Sequence, residues 1–158
     1  MIKKLSSKNT NIIYEIINKA ASAYRGIIPE DCYHEPYMSE QELRREMAGM
    51  TFYGWGQVGK IVGIIGFQPV KDITLVRHAY VLPDYQRKGI GTKLLNHVKN
   101  MTKTKLLLVG TWADAIWAIQ FYQRHGFVLM PKKDELLRKY WNVPRRQIET
   151  SVVLGIEI

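Results

Sequence analysis

The 158-residue chain is poor in several residue types and patterns, and each shortage narrows what it can be. A single cysteine, Cys32, leaves no internal disulfide and no cysteine cluster for a structural zinc ion. No apolar run approaches the ~20 residues of a membrane span; Ile61–Phe67 is among the longest, and it is of strand length. The opening Met1-Ile2-Lys3-Lys4-Leu5-Ser6 has two lysines but no apolar core of signal-peptide length. A cytoplasmic protein with no membrane partner and no metal is the expectation. Acidic residues are the minority, 14 against 23 Lys and Arg, for a net charge of +9. Such an excess suits nucleic acid, an acidic membrane face or a polyanionic small molecule. The cations are scattered in pairs, among them Lys3-Lys4, Arg44-Arg45, Arg87-Lys88, Lys132-Lys133 and Arg145-Arg146. No run reaches the five or more of a basic tail, which argues against nucleic acid. Repeats, linkers and low-complexity segments are lacking too, so one domain over residues 1–158 is expected.

What is present is a globular composition, 46% hydrophobic and 23% charged. Ile2–Leu5 reads as a short strand. Asn9 or Thr10 is placed to cap a helix whose apolar face is Ile12, Ile13, Ile16, Ile17, Ala20 and Tyr24, ended by Gly26 and Pro29. Ser39-Glu40-Gln41-Glu42 is a capping box, opening a helix that carries Leu43 and Met47 inward. Thr51–Gln57 and Lys60–Phe67 read as strands around a turn at Val58-Gly59, and the glycines of Gly54-Trp55-Gly56 suggest a bulge. Pro69–Asp72 then leads to a third strand, Ile73–Leu82, which completes an antiparallel meander. A helix from Gly89 to about Asn100 crosses to the apolar strand Lys105–Gly110, implying a parallel pair. Asp114 is placed to cap a helix over Ala115–His125; a strand Phe127–Met130, a helix Asp134–Trp141 and a closing strand Ser151–Ile158 follow. The expected fold is mixed α/β (α+β), with a central sheet of six to seven strands flanked by four to five helices.

The stretch between the third strand and the crossover helix carries the chemistry. Pro83 stops the strand, and Gln86-Arg87-Lys88-Gly89-Ile90-Gly91-Thr92 brings two glycines and two cations to a helix start. Unpaired N–H groups there make an anion site, and the glycines lack side chains that would hold a phosphate off. Nucleotide fingerprints fit poorly, because Leu94 stands where a third glycine would and no Gly-Lys-Ser/Thr follows. Gln86-Arg87-Lys88-Gly89-Ile90-Gly91 does resemble the Gln/Arg-x-x-Gly-x-Gly/Ala loop of the GNAT superfamily of N-acetyltransferases, after a strand ending Val81-Leu82-Pro83 as in that family. Ala118-Ile119-Gln120-Phe121-Tyr122-Gln123-Arg124-His125-Gly126-Phe127 resembles that family's Ala-x-x-Phe-Tyr-x-x-x-Gly-Phe signature. The resemblance covers roughly residues 52–130. One departure is Ala115, where many members have an asparagine that helps hold cofactor and water.

The resemblance implies the GNAT fold and transfer of an acetyl group from acetyl-CoA to a primary amine of a small molecule or peptide, by direct attack in a ternary complex. Tyr122 matches the general acid that protonates the departing thiolate. The strand Leu75–Val81 carries no carboxylate, so His78 is the candidate base, with His34 and Glu35 as weaker alternatives. A bulge, common in this strand of the family, would change which residues share a face with His78. The family pattern pairs Ala79, Tyr80 and Val81 with the pantetheine and lays the pyrophosphate over Gln86 to Thr92: Gln86, Arg87, Lys88, Gly89, Ile90, Gly91 and Thr92. Tyr24, Tyr33, Tyr37, Tyr53, Trp55 and Trp112 are candidates for the acceptor wall, and equally for the core. A non-catalytic acyl-CoA sensor or interaction module on the same fold is the alternative. Many relatives are dimers, which leaves a homodimer open; the acceptor and the acyl-chain preference are not legible.

Overall fold

The structure is a computed structural model describing residues Met1–Ile158. Its strands are β1 (Ile2–Lys4), β2 (Thr51–Gln57), β3 (Lys60–Val70), β4 (Ile73–Val81), β5 (Leu106–Trp112), β6 (Val128–Leu129) and β7 (Ser151–Glu157). Its helices are α1 (Thr10–Ala21), α2 (Glu40–Met47), α3 (Ile90–Met101), α4 (Ile116–Arg124), α5 (Lys133–Tyr140) and α6 (Arg145–Thr150). The strands form one mostly antiparallel sheet with one parallel pair, in the order β1-β2-β3-β4-β5-β7-β6. The expected α/β class and the seven strands stand, with six helices rather than four to five.

The chain divides into two units, and β3 and β4 each contribute residues to both. The first unit holds residues 1–23, 34–68 and 76–101. In it α1 buries Ile13, Ile16 and Ile17, the apolar stripe of an amphipathic helix, and α2 buries Leu43. Ser39 Oγ accepts from the Glu42 N–H at 3.1 Å, so α2 begins where its capping sequence places it. The cap before α1 works differently from expectation. Asn9 makes no bond to the helix behind it; its Oδ1 accepts from the Ser6 N–H at 3.0 Å, closing a tight turn in front of α1. The β2–β3 register shifts between Trp55 and Gly56, a bulge at the glycine-flanked tryptophan. Gly63 sits beneath α3, where an added Cβ would lie 2.9 Å from Ile90 Cγ2 and 3.3 Å from Leu94 Cδ1. This missing side chain lets the first turn of α3 approach the sheet.

The second unit holds residues 24–33, 69–75 and 102–158. Its core gathers Ile73, Leu75, Leu108, Leu137, Ile148 and Val153. β7 pairs antiparallel with β5 on one side and β6 on the other. The Lys133 ammonium donates to the Ile148 carbonyl at 2.7 Å and to the Glu149 carbonyl at 3.3 Å, closing the end of α6. α6 is short and follows Pro144, which presents only Ile148 to the core, too little periodicity to announce a helix. Asp114 does not cap α4 through its side chain; Ala115 occupies the cap and the Asp114 carbonyl takes the Ile116 N–H.

Candidate active site

The first unit contributes the end of β4, the turn after it and the start of α3. Pro83–Tyr85 forms a single 3-10 turn, and the Gln86 side chain folds back so that its Nε2 donates to the Val81 carbonyl at 3.0 Å. Arg87 (φ 62°) and Gly89 (φ 81°) both take left-handed backbone, which turns the chain into α3. Left-handed residues in such a turn aim successive N–H groups into one concavity, and the Lys93 N–H donates to the Gly89 carbonyl at 3.1 Å, starting α3 directly from the turn. An added Cβ at Gly89 would meet nothing within 4 Å, so glycine serves backbone conformation there rather than packing. Open space of this kind beside a turn at a helix start is what a phosphate requires. The Lys60 and Lys88 ammoniums lie 5.2 and 5.5 Å from the centroid of the Tyr85 ring, adding positive charge beside the turn.

Upstream in β4, His78 has φ 51°, a left-handed residue inside a strand. Neighbouring strand residues normally point to opposite faces. Here Arg77 and His78 reach the same carboxylate: Glu46 Oε1 accepts from Arg77 Nη2 at 2.6 Å and from His78 Nε2 at 2.8 Å. Arg77 Nη1 also donates to Gln68 Oε1 at 3.2 Å, and the Phe52 ring stacks on the imidazole at 6.1 Å between centroids. The His78 side chain is 13% exposed. Burial works to raise the Glu46 carboxyl, but the His78 hydrogen bond and the charges of His78, Arg77 and Arg45 outweigh it and hold it below its ordinary value. Glu46 escaped sequence reading because it lies 32 residues from His78 among exposed charges of α2. Its one signal was spacing: it stands three residues after buried Leu43, on the inward side of the helix.

In the second unit Tyr122 is the one buried residue of α4, 6% exposed, between Phe121 at 5.2 Å and Phe127 at 5.4 Å. Its phenol, protonated at neutral pH even at the ordinary value of about 10, is pushed well above that value by burial first and Tyr24 second. Tyr24 stacks on Trp117 at 5.9 Å, and Trp117, 44% exposed, presents an apolar face that sequence reading passed over. Of the other predicted acceptor-wall residues, Tyr33 and Trp112 belong to the second unit and Tyr37, Tyr53 and Trp55 to the first. Tyr33 lies under the Arg25 guanidinium and Trp112 is buried in β5. Tyr53 packs between Phe67 and His97, with Trp55 beside it under the Lys93 ammonium; Tyr37 is partly exposed in the loop before α2. A cavity of about 270 Å³ opens in the first unit between Thr10, Arg44, Met47 and Phe52, and none of the predicted wall residues lines it. Ala115 is fully buried. No helix is long and apolar enough to cross a membrane.

The family model of the acetyltransferase (GNAT) domain matches residues 48–129, more than half of the chain. No curated protein matches. Among solved structures, the PaiA N-acetyltransferase of Thermoplasma acidophilum in complex with coenzyme A is 18% identical, covering 100% of this chain and 98% of its own, with a TM-score of 0.77. The ribosomal-protein-S18-alanine N-acetyltransferase of Escherichia coli is 20% identical, with coverage of 100% and 93% and a TM-score of 0.72. A GNAT family acetyltransferase from Elizabethkingia anophelis with acetyl-CoA bound is 22% identical, with coverage of 100% and 97% and a TM-score of 0.70. At these identities the likeness is one of fold.

Proposed function

Because the chain belongs to the GNAT acetyltransferase family, we propose that it transfers an acetyl group from acetyl-CoA to a primary amine of a small molecule or peptide. The observation that carries this reading is the Gln86–Thr92 turn, whose left-handed Arg87 and Gly89 lead into α3 with open space over Gly89. The solved relatives that hold coenzyme A or acetyl-CoA support it. Gln86, Arg87, Lys88, Gly89, Ile90, Gly91 and Thr92 hold the pyrophosphate, and the backbone of Ala79, Tyr80 and Val81 pairs with the pantetheine. Acetyl-CoA supplies an activated acyl carbon and a thiolate leaving group.

The acceptor nitrogen attacks the thioester carbonyl carbon, forming the C–N bond as the C–S bond breaks. His78 takes the proton that the amine sheds, and Tyr122 gives its phenolic proton to the departing sulfur. The products are an N-acetyl amine and CoA thiol, and solvent restores both side chains. Tyr24, Tyr33, Tyr37, Tyr53 and Trp112 remain the acceptor candidates, and the exposed ring of Trp117 joins them. A cytoplasmic enzyme, monomeric or homodimeric, is the setting proposed.

Thiol release from acetyl-CoA, measured across small primary amines, amino acids and peptides with free α-amino groups, tests the reading. Turnover with at least one acceptor, confirmed by mass of the N-acetyl product, is expected. One observation favours a second reading, an acyl-CoA sensor: buried Ala115 has no polar side chain where many relatives place an asparagine. A sensor binds acetyl-CoA and releases no thiol with any acceptor.

A further inference from the structure

We propose that Glu46 is a positioning residue that fixes the tautomer of His78, making Nδ1 the atom that accepts the amine proton. The proposal rests on His78 being the base. An ionised carboxylate can only accept hydrogen bonds, and Glu46 Oε1 already takes one from the Arg77 guanidinium at 2.6 Å. The 2.8 Å contact with His78 Nε2 therefore requires the hydrogen to be on Nε2. In a neutral imidazole the lone pair then lies on Nδ1. The hydrogen bond of His78 runs to Glu46 through Nε2, and Nδ1 is left to receive a proton.

The backbone is built to bring this about. With ordinary strand geometry Arg77 and His78 would point to opposite faces. The left-handed φ of 51° at His78 turns both side chains onto one carboxylate. A non-glycine residue in that region costs on the order of 1–3 kcal/mol and persists where its surroundings over-determine it. Here the surroundings are the Arg77 fork across Glu46 and Gln68, and the Phe52 ring lying nearly parallel to the imidazole at 14°. Gly66 contributes by absence, since a Cβ there would lie 3.0 Å from the Arg77 carbonyl oxygen and 3.2 Å from the Phe52 ring. During transfer the proton from the amine nitrogen moves to Nδ1 while the Nε2 hydrogen stays in its bond to Glu46. The carboxylate thus faces the imidazolium that forms and stabilises it.

Nitrogen-15 spectra of the histidine rings, recorded on the full chain near neutral pH, distinguish the two tautomers. Wild type is expected to show His78 with hydrogen on Nε2. Glu46→Gln, whose amide can donate or accept, is expected to give a mixed ring. Its kcat should fall by about tenfold or more, with KM for acetyl-CoA within about twofold of wild type. Arg77→Met tests for a merely structural network: it removes the other partner of Glu46, and the Nε2–H tautomer is expected to survive. A wild-type ring carrying its hydrogen on Nδ1, in an enzyme that His78→Ala disables, overturns this proposal alone. Full turnover in His78→Ala removes the base itself and this proposal with it. Should Glu46→Gln fail to fold, the wild-type spectrum still decides.

Discussion

In the first unit His78 is tied at 2.8 Å to an ionised carboxylate that also faces a guanidinium, in a strand bent to allow it. In the second unit Tyr122 is surrounded by rings, and no side chain of opposite charge addresses its hydroxyl. The difference follows from what each proposed role demands. A base must present a lone pair at a chosen atom, and an imidazole has two nitrogens, so a hydrogen bond has to select one. A general acid must remain protonated until the thiolate develops, which a phenol does at its ordinary value of about 10, and burial only widens that margin. Choosing one imidazole nitrogen takes a network, whereas a phenol is an acid at neutral pH without one.

The contrast can be broken most directly at Tyr122. Tyr122→Phe keeps the packing against Phe121 and Phe127, and is expected to lower kcat by about 100-fold with acetyl-CoA affinity retained. Full turnover would remove the acid role and leave burial as packing alone. Stability is the next test of what each unit depends on. Gly63→Val would push a branched side chain against Ile90 and Leu94 and is expected to cost about 1–3 kcal/mol in urea unfolding, shifting the midpoint with the slope unchanged. An unaffected midpoint would mean that α3 rides freely above β3.

The two environments should also separate by pH. The Tyr122 phenol is raised, so its contribution is whole below its unfolded value of about 10 and is lost as pH climbs beyond that. The Glu46 carboxyl is lowered from 4.5, so its contribution is present above that value and is lost as pH falls through the folded one. Thermal melts across pH should therefore lose part of their alkaline slope in Tyr122→Phe and part of their acid slope in Glu46→Gln. The reverse assignment would contradict both environments. The smallest effect is expected at Asp31, which the Arg146 guanidinium grips at 2.8 and 3.1 Å in full solvent. Asp31→Asn should leave the melting temperature nearly unchanged, as for most exposed pairs.

Much of this architecture is legible in the amino-acid order because the deciding forces are local. Pro83 ends β4, Gly59 (φ 77°) follows Val58 in the hairpin turn, and the stripe Ile90, Leu94, Val98 buries one face of α3. The turn at Gln86–Gly91 could be singled out because its glycines and cations are adjacent in sequence. Glu46 could not, because its partners are set by a kink in β4 and by tertiary packing of α2. Trp117, inside an aromatic-rich helical motif, gives no signal of its own in the amino-acid order, yet much of its ring faces outward. Boundaries moved where a backbone conformation overrode composition. Pro69 lies within β3 rather than in the connection, and the connection shrinks to Lys71 (φ 55°) and Asp72. Tyr140, whose hydroxyl donates to Asp72 at 2.8 Å, ties that short turn to α5.

The measurement that bears most directly on the central claim is calorimetric titration of acetyl-CoA into wild type and Gly89→Asp. The variant puts a branched, negatively charged side chain where φ is 81° and where a phosphate is proposed to lie, with no core contact disturbed. Saturable binding to wild type, weakened by at least about tenfold (~1.4 kcal/mol) in a variant that still melts cooperatively, is the result expected. Equal affinity in the two proteins would take the cofactor off the Gln86–Thr92 turn, and no binding to wild type would contradict the acetyl-CoA reading altogether.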